Sequence, residues 1–349
     1  MTRKIKVGNT FIGGGAPITV QTMLSVPSYD VEGNVAQALE VQAAGADIIR
    51  LAVPDAAALK MLEAVKKAVS VPVVADIHFD YKLALESVDS GADKIRINPG
   101  NIGGPEKARC VIEKCAANGV AVRVGVNSGS LERELLVKYG APTPEALCES
   151  ALNAVRMLEE LNFYDTVVSI KTSSVVDTVK AYRLFSAESD YPLHIGVTEA
   201  GTEKTGAIRS AVALGSLLLD GIGDTLRVSL TAPPVEEVRA GVEILKACGL
   251  RGGASVVSCP TCGRTRIDVK ALAEKTEAML ADCKKPVKVA VMGCVVNGPG
   301  EAREADFGIT GGDGVGLVFR KGVVVEKVGE SELLDTLAKY IKEYENNNE

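Results

Sequence analysis

The most telling chemistry in the chain lies near its C-terminal end, where Cys259 and Cys262 form CPTCG and Cys294 and Glu301 lie in GCVVNGPGE. Two thiolates with two residues between them grip one metal unit from a single turn, and Gly263 behind them leaves backbone N–H groups free to approach the sulfurs. Cys294 returns at the end of a strand, with Asn297, Gly298, Pro299 and Gly300 forming a tight loop. A CxxC alone equally marks a zinc knuckle or a redox pair. Structural zinc wants four Cys or His ligands, yet both histidines precede residue 195, so zinc would have to recruit Cys283 or Cys248. Three thiolates and a weaker oxygen ligand suit a [4Fe-4S] cluster whose fourth ligand can be exchanged. Cys110, Cys115 and Cys148, on helical stretches with apolar neighbours, read as core residues.

A second reactive set sits inside strand-like segments. Side chains two apart on a strand share a face, which pairs Asp76 with His78, Arg96 with Asn98, Arg123 with Asn127, Ser169 with Lys171 and Arg227 with Ser229, while Arg50 lies late in its own strand. Burying the five cations Arg50, Arg96, Arg123, Lys171 and Arg227 unpaired would be prohibitive, and the strands offer few carboxylates. Either loop carboxylates complete a ring of internal ion pairs, or an anionic ligand does. The guanidinium fork suits phosphate oxygens, and so many cations suit a diphosphate. Glu199, in VTEAG, ends a strand beside this rim as a general acid or base, or as a salt-bridge partner for a cation. His78 faces the same end, whereas His194 sits at the opposite end of its strand and reads as structural.

These residues need a frame that gathers strand ends. From Ile18 to Ala232 one unit recurs eight times: a β-branched strand, an Ala/Leu/Glu/Lys-rich helix, then a Gly or Pro turn. The strands are predicted at 18–23, 47–53, 72–78, 94–100, 121–127, 166–172, 193–201 and 224–232, with amphipathic helices such as 56–69, 146–161 and 207–221 between them. Such alternation forces parallel pairing, and eight near-equal units fit a closed (β/α)8 TIM-type barrel with its site at the C-terminal strand ends. An open doubly wound sheet would place a glycine loop after its first strand. Here Gly13, Gly14 and Gly15 precede it, as a turn leaving a short hairpin across the barrel floor. After a helix at 235–247 the glycines 249, 252 and 253 mark a linker, dividing the chain into a barrel over 1–250 and a small α+β domain over 251–349 that carries the late cysteines.

Composition narrows the partners. With 349 residues, 46% apolar and 24% charged, the chain can bury a sizeable core and stay dissolved. No run of about 18 apolar residues occurs, and the opening lacks the apolar stretch of a secretory signal, so a soluble cytoplasmic protein is expected, away from membranes. A net charge of -6, no Trp and only 4% aromatics leave no footprint of nucleic-acid binding. Eight cysteines are too few for a disulfide scaffold.

In order and wording, VQTM, DIIRLAVP, VADIHFD, KIRINPGNIG, VRVGVNSGSL, SIKTSS, HIGVTEAG, SCPTCGRT and MGCVVNGPGEA resemble the bacterial 4-hydroxy-3-methylbut-2-enyl diphosphate synthase family of isoprenoid biosynthesis, in its compact two-domain form. The resemblance covers nearly the whole chain. It implies that Cys259, Cys262, Cys294 and a displaceable Glu301 hold a [4Fe-4S] cluster. It implies also that Arg50, Asp76, His78, Arg96, Asn98, Arg123, Asn127, Lys171, Thr198, Arg227 and Ser229 surround a cyclic diphosphate, with Glu199 as acid/base. The implied reaction is the reductive ring opening of 2-C-methyl-D-erythritol 2,4-cyclodiphosphate in the methylerythritol phosphate pathway, with electrons from flavodoxin or ferredoxin. The implied assembly is a head-to-tail homodimer in which each cluster domain caps its partner's barrel.

Two other functions compete. A redox-inert phosphosugar aldolase or isomerase with a zinc-stapled appendage would be colourless. An electron carrier without a substrate would leave the strand-borne cations unexplained.

Overall fold

The computed structural model of the 349-residue chain describes all residues except 99–101, 282, 284, 295–301 and 347–349. The chain divides into two units, Met1–Arg251 and Gly252–Glu349.

The first unit opens with an antiparallel hairpin of β1 (Ile5–Val7) and β2 (Thr10–Ile12). Its buried side chains Ile5, Val7 and Ile12 pack on Ile48, Val74, Ala121 and Val167, which line the starting ends of the barrel strands. The hairpin therefore plugs the floor, and Gly13, Gly14 and Gly15, all at positive φ, turn the chain into the barrel. Eight parallel strands follow: β3 (Thr19–Met23), β4 (Ile48–Ala52), β5 (Val73–Asp76), β6 (Lys94–Ile97), β7 (Ala121–Asn127), β8 (Thr166–Lys171), β9 (His194–Ile195) and β10 (Thr225–Leu226). They run in the order β8-β7-β6-β5-β4-β3-β10-β9, and a parallel bridge between Val168 and Leu193 joins the two ends. Helices cover the outside, each begun by local signals in the sequence. Asp30, Asp80, Thr143 and Ser174 cap the helices that follow them, and Pro105, Pro144 and Pro234 occupy first turns. Between strands and helices lies an aliphatic core of Val, Ile, Leu and Ala.

Two predicted strands are much shorter than expected. The segment 193–201 keeps ladder pairing only at His194–Ile195, and 224–232 only at Thr225–Leu226. Beyond Ile195 the backbone must pass close to its neighbours. A side chain at Gly196 would come within 2.6 Å of the Arg227 carbonyl and 2.9 Å of Lys171 Nζ, and Glu199 turns into the left-handed region at φ 53. The predicted strand at 94–100 ends its ladder at Ile97. Cys110 also departs from expectation. The buried stripe of its helix runs through Ala108, Val111, Ile112 and Cys115, which leaves Cys110 exposed. Cys115 and Cys148 are buried, and burial pushes their thiols up to about 12 and about 11.

The second unit is a five-stranded sheet of β11 (Ser255–Ser258), β12 (Lys288–Met292), β13 (Phe307–Gly312), β14 (Val315–Arg320) and β15 (Val323–Gly329), in sequence order. β11, β12 and β13 are parallel, and β14 and β15 continue as an antiparallel meander. Helices at Val269–Leu280 and Leu333–Asn346 bury Val269, Ala273, Leu333, Leu337 and Ile341 against Val289, Val291, Phe307 and Ile309. Full burial of each large aliphatic among them contributes roughly 1.5–3 kcal/mol.

Candidate active site

Barrel register gathers the charged residues. Met23 lies beside Arg50, Asp76 beside Arg96, Arg96 beside Arg123, and Asn127 beside Lys171 on neighbouring strands. All of these side chains face the barrel interior because residues in register share a face. Asp76 is the hub. Arg96 Nη1 donates to Asp76 Oδ1 at 3.2 Å, while Arg50 Nε and His78 Nε2 lie 3.9 and 3.8 Å from Oδ2. Burial works to raise the Asp76 carboxyl, but Arg50, Arg96, Arg123 and His78 outweigh it and hold it below its usual range. Arg50 also donates to the Met23 sulfur, through Nε at 3.2 Å and Nη2 at 2.9 Å. Burial lowers the Arg50 guanidinium to about 10, a shift that Asp76 opposes and Arg227 and Arg96 reinforce.

Arg227 has a carboxylate of its own. Its Nε and Nη2 donate to the two oxygens of Glu237, each at 3.2 Å, and Thr22 Oγ1 and the Leu230 N–H donate to the same group. Sequence reading missed Glu237, although a signal existed: it occupies the buried stripe of its helix with Pro234, Val238 and Gly241. The ion-pair alternative therefore holds for Arg50, Arg96 and Arg227. It fails for the other two cations. Arg123 is 1% exposed, and its Nε and Nη1 have no hydrogen-bond partner among the described residues. Lys171 is buried, and among the described residues its ammonium has neither a hydrogen bond nor an ion pair. Desolvation pushes both groups well below their ordinary values, and the surrounding arginines add to the effect. Room for this crowd is made by Gly125, where a side chain would come within 3.0 Å of Arg96 Nε.

The remaining predicted residues stand around the rim. Asn98 donates to Ser130 Oγ at 3.3 Å, and the Asn127 amide accepts from Arg96 Nη2 at 3.3 Å in the orientation that satisfies both groups. Ser169 donates to the Val124 carbonyl at 3.4 Å, and the Thr198 N–H donates to the Thr172 carbonyl at 3.1 Å. Thr198 and Ser229 are half-buried, and the His78 side chain is 48% exposed. Glu199 is exposed and forms no ion pair among the described residues, so the structure offers no support for its reading as a salt-bridge partner. Its left-handed backbone costs about 1 kcal/mol or more for a residue with a side chain, a strain typical of functional loops. A cavity of about 600 Å³ at the floor, among Lys4, Phe11, Asp47 and Arg251, is a poor rival, since Arg251 and Asp47 neutralise each other at 2.7 Å.

His194, predicted to be structural, is wholly buried at the start of β9, and both ring nitrogens lack partners. Desolvation, then Arg123, Lys171, Lys94 and Arg50, hold its pKa well below 6.5. Below pH 6.5 the unfolded chain therefore binds a proton at His194 that the folded chain refuses, and stability falls as pH falls. The expected slope is about 1 kcal/mol per pH unit. Thermal midpoints recorded from pH 6.5 to pH 5 should show it, with a flatter profile for His194→Gln.

In the second unit, Cys259 and Cys262 follow β11, and Cys294 follows β12, the parallel neighbour of β11. The Cys259 N–H donates to the Val291 carbonyl at 3.2 Å, and the Gly293 N–H donates to Cys259 Sγ at 3.1 Å, so the two cysteine segments are laced together. Hydrogen bonds, led by the Arg264 backbone N–H, lower the Cys262 thiol toward the thiolate that metals require. Peptide N–H groups aimed at sulfur are what a thiolate-held iron centre uses, so this donor set fits one. Among the described residues no three Cys, His, Asp or Glu side chains converge on a single metal position. Glu301, the expected fourth ligand, lies outside the described residues, as do Asn297, Gly298, Pro299 and Gly300.

A (β/α)8 barrel with buried, unneutralised cations at its strand ends, joined to an α+β unit bearing thiols on adjacent strand ends, defines an anion-handling barrel protein equipped for a metal centre. The GcpE TIM-barrel domain matches residues 2–242, and the GcpE protein C-terminal domain matches residues 255–343. The chain belongs to the GcpE family. It is 56% identical over 343 residues to a protein of Caldanaerobacter subterraneus subsp. tengcongensis, covering 98% of this chain and 97% of that one. It is 54% identical over 342 residues to one of Clostridium perfringens, covering 98% of each, and 56% identical over 337 residues to one of Geobacter sulfurreducens, covering 96% of each. All three are named 4-hydroxy-3-methylbut-2-en-1-yl diphosphate synthase (flavodoxin). Among solved structures, the dihydropteroate synthase of Coxiella burnetii superposes with a TM-score of 0.50 at 14% identity, covering 70% of this chain and 97% of its own, which shows a shared barrel fold. No helix among the described residues is long and apolar enough to cross a membrane.

Proposed function

We propose that this chain reduces 2-C-methyl-D-erythritol 2,4-cyclodiphosphate to 4-hydroxy-3-methylbut-2-enyl diphosphate with electrons from flavodoxin, as the names of its relatives indicate. Two electrons and two protons enter, one C–O bond of the ring opens, and a hydroxyl leaves as water. The observation that carries this reading on the structural side is the pair Arg123 and Lys171, buried at the barrel mouth without carboxylate partners. Such a pair wants a multiply charged anion. A redox-inert aldolase or isomerase finds no support among the relatives.

In this account Arg50, Arg96, Arg123, Lys171 and Arg227 hold the diphosphate, while Asp76 and Glu237 fix three of the guanidinium groups before the ligand arrives. Asn98, Asn127, Thr198, Ser229 and His78 supply further polar contacts around the organic part. Cys259, Cys262, Cys294 and Glu301 would hold a [4Fe-4S] cluster. Such a cluster, when bound, supplies single electrons and a Lewis-acidic iron. Glu199 delivers the proton to the departing hydroxyl. It stands exposed, in a strained left-handed backbone, at the end of the seventh barrel unit. A ferredoxin could stand in for flavodoxin, since either supplies one electron at a time. The enzyme works in the cytoplasm as a head-to-tail homodimer. Exposed Ile208, Val212 and Leu219 on the helix Glu203–Leu219 provide apolar surface for contact between copies.

The reading is tested by anaerobic turnover of the cyclic diphosphate with reduced flavodoxin. Glu199→Gln should lower kcat about 100-fold while leaving KM nearly unchanged. Parent protein that binds the cyclic diphosphate but never releases the allylic product would overturn the assignment.

A further inference from the structure

Beneath the arginines the barrel interior holds a second polar tier that the reaction above does not use. Lys94 opens β6, and its register partners are Val74 and Ala121. Both line the floor of the barrel interior, so Lys94 points inward with them. It is 0% exposed, and its Nζ has no hydrogen-bond partner among the described residues. Gln21 on β3 and His194 on β9 are buried near the same depth with their polar atoms equally unpaired.

The charges facing Lys94 come from four directions. Arg123 on β7 and Arg50 on β4 oppose its charge, and Lys94 in turn opposes a charge on His194. Asp93, just before it in the chain, is the one charge among these that favours the ammonium, but that carboxylate already accepts from Lys66 Nζ and the Val73 N–H. A primary amine so placed gains nothing from holding a proton, since burial and both guanidinium groups work against the ammonium form.

We propose that Lys94 couples ligand binding to proton uptake: it is a neutral amine in the free enzyme and becomes an ammonium when an anionic diphosphate enters the mouth above it. The inference rests on the diphosphate reading of that mouth. Burial is the largest cause of the neutral state of Lys94, but two negative charges settling on Arg123 and Arg50 cancel the repulsion that those guanidinium groups add to it, and the dry interior transmits the change with little screening. The proton comes from the buffer. By reciprocity, affinity for the diphosphate must fall as pH rises through the window in which Lys94 titrates.

Titration calorimetry of the oxidised holoenzyme with 2-C-methyl-D-erythritol 2,4-cyclodiphosphate tests this, with no reductant present and therefore no turnover. Each phosphorus of that ligand carries one strongly acidic oxygen, so the ligand itself takes up no proton near neutrality. Plotting binding heat at pH 8 against buffer ionisation enthalpy gives the number of protons absorbed. The parent enzyme should absorb about one proton more than Lys94→Met, and its affinity should fall with pH more steeply. Lys94→Gln repeats the comparison should the methionine variant fold poorly. Lys171 remains in both variants, so its own uptake cancels. Equal proton counts in parent and variants, or binding by the parent without uptake between pH 7 and 9, would overturn the inference and leave the diphosphate reading standing. Absence of any binding overturns both.

Discussion

Arg123→Met should bind the cyclic diphosphate about 1,000-fold more weakly than the parent enzyme, a loss of ~4 kcal/mol, and yet unfold at the same temperature or higher. The two halves of this expectation come from one observation. Arg123 is buried among cations with two of its donor nitrogens unpaired, so in the free protein it costs stability rather than supplying it. Replacing such a charge with an apolar side chain of similar length is neutral or stabilising by about 1–4 kcal/mol. In the complex, the same guanidinium finds phosphate oxygens in a dry site, where a charge-assisted contact is strongest. Calorimetric binding and a thermal scan on the same preparation check both halves. A variant that loses stability while keeping its affinity would show that Arg123 is a structural ion after all.

Cys294→Ser and Cys259→Ser should be purified colourless, without iron and without turnover, while the barrel stays folded. A hydroxyl is a far poorer ligand for iron than a thiolate, and the loss of one of three sulfurs leaves too few to hold a cluster. The two units keep separate apolar cores, one around the barrel strands and one around β12 and β13, so damage at the thiols need not spread to the barrel. Iron and sulfide analysis with a far-ultraviolet dichroism spectrum measures this. Cys283→Ser serves as the control and should retain its iron. It sits apart from the laced segments, with its thiol raised by burial and by Glu345 and its Sγ donating to the Lys285 carbonyl.

Much of this arrangement was legible before any coordinates. The eightfold alternation led to the barrel, and the period of two along strands put Asp76 with His78, Arg96 with Asn98 and Arg123 with Asn127, while the register that sets Asp76, Arg96 and Arg123 side by side comes from the fold. What strand-wise reading could not reach were partnerships that cross between elements. Glu237 belongs to a helix, yet it neutralises Arg227; with Arg50 and Arg96 paired to Asp76, Arg123 and Lys171 are the two of the five cations left without an ion pair among the described residues. Lys94 opens a predicted strand and drew no notice in the sequence; closure of the barrel is what buries its amine. The abbreviated β9 and β10 were hidden for a related reason: their β-branched composition is that of full strands, but the close approach at Gly196 ends their regular pairing. Cys110 was misplaced because its apolar neighbours in sequence lie on a different face of the helix.

The proposed reduction needs a redox centre on the late cysteines and a diphosphate held by the barrel's cations. Electron paramagnetic resonance of the anaerobically purified, reduced enzyme, recorded with and without 2-C-methyl-D-erythritol 2,4-cyclodiphosphate, tests most directly whether the one senses the other. The expected result is an iron-sulfur signal whose shape changes when the cyclic diphosphate is added, and which in Arg123→Met stays in its ligand-free form at the same concentration. A preparation with no such signal, or one whose signal ignores saturating cyclic diphosphate, would contradict it.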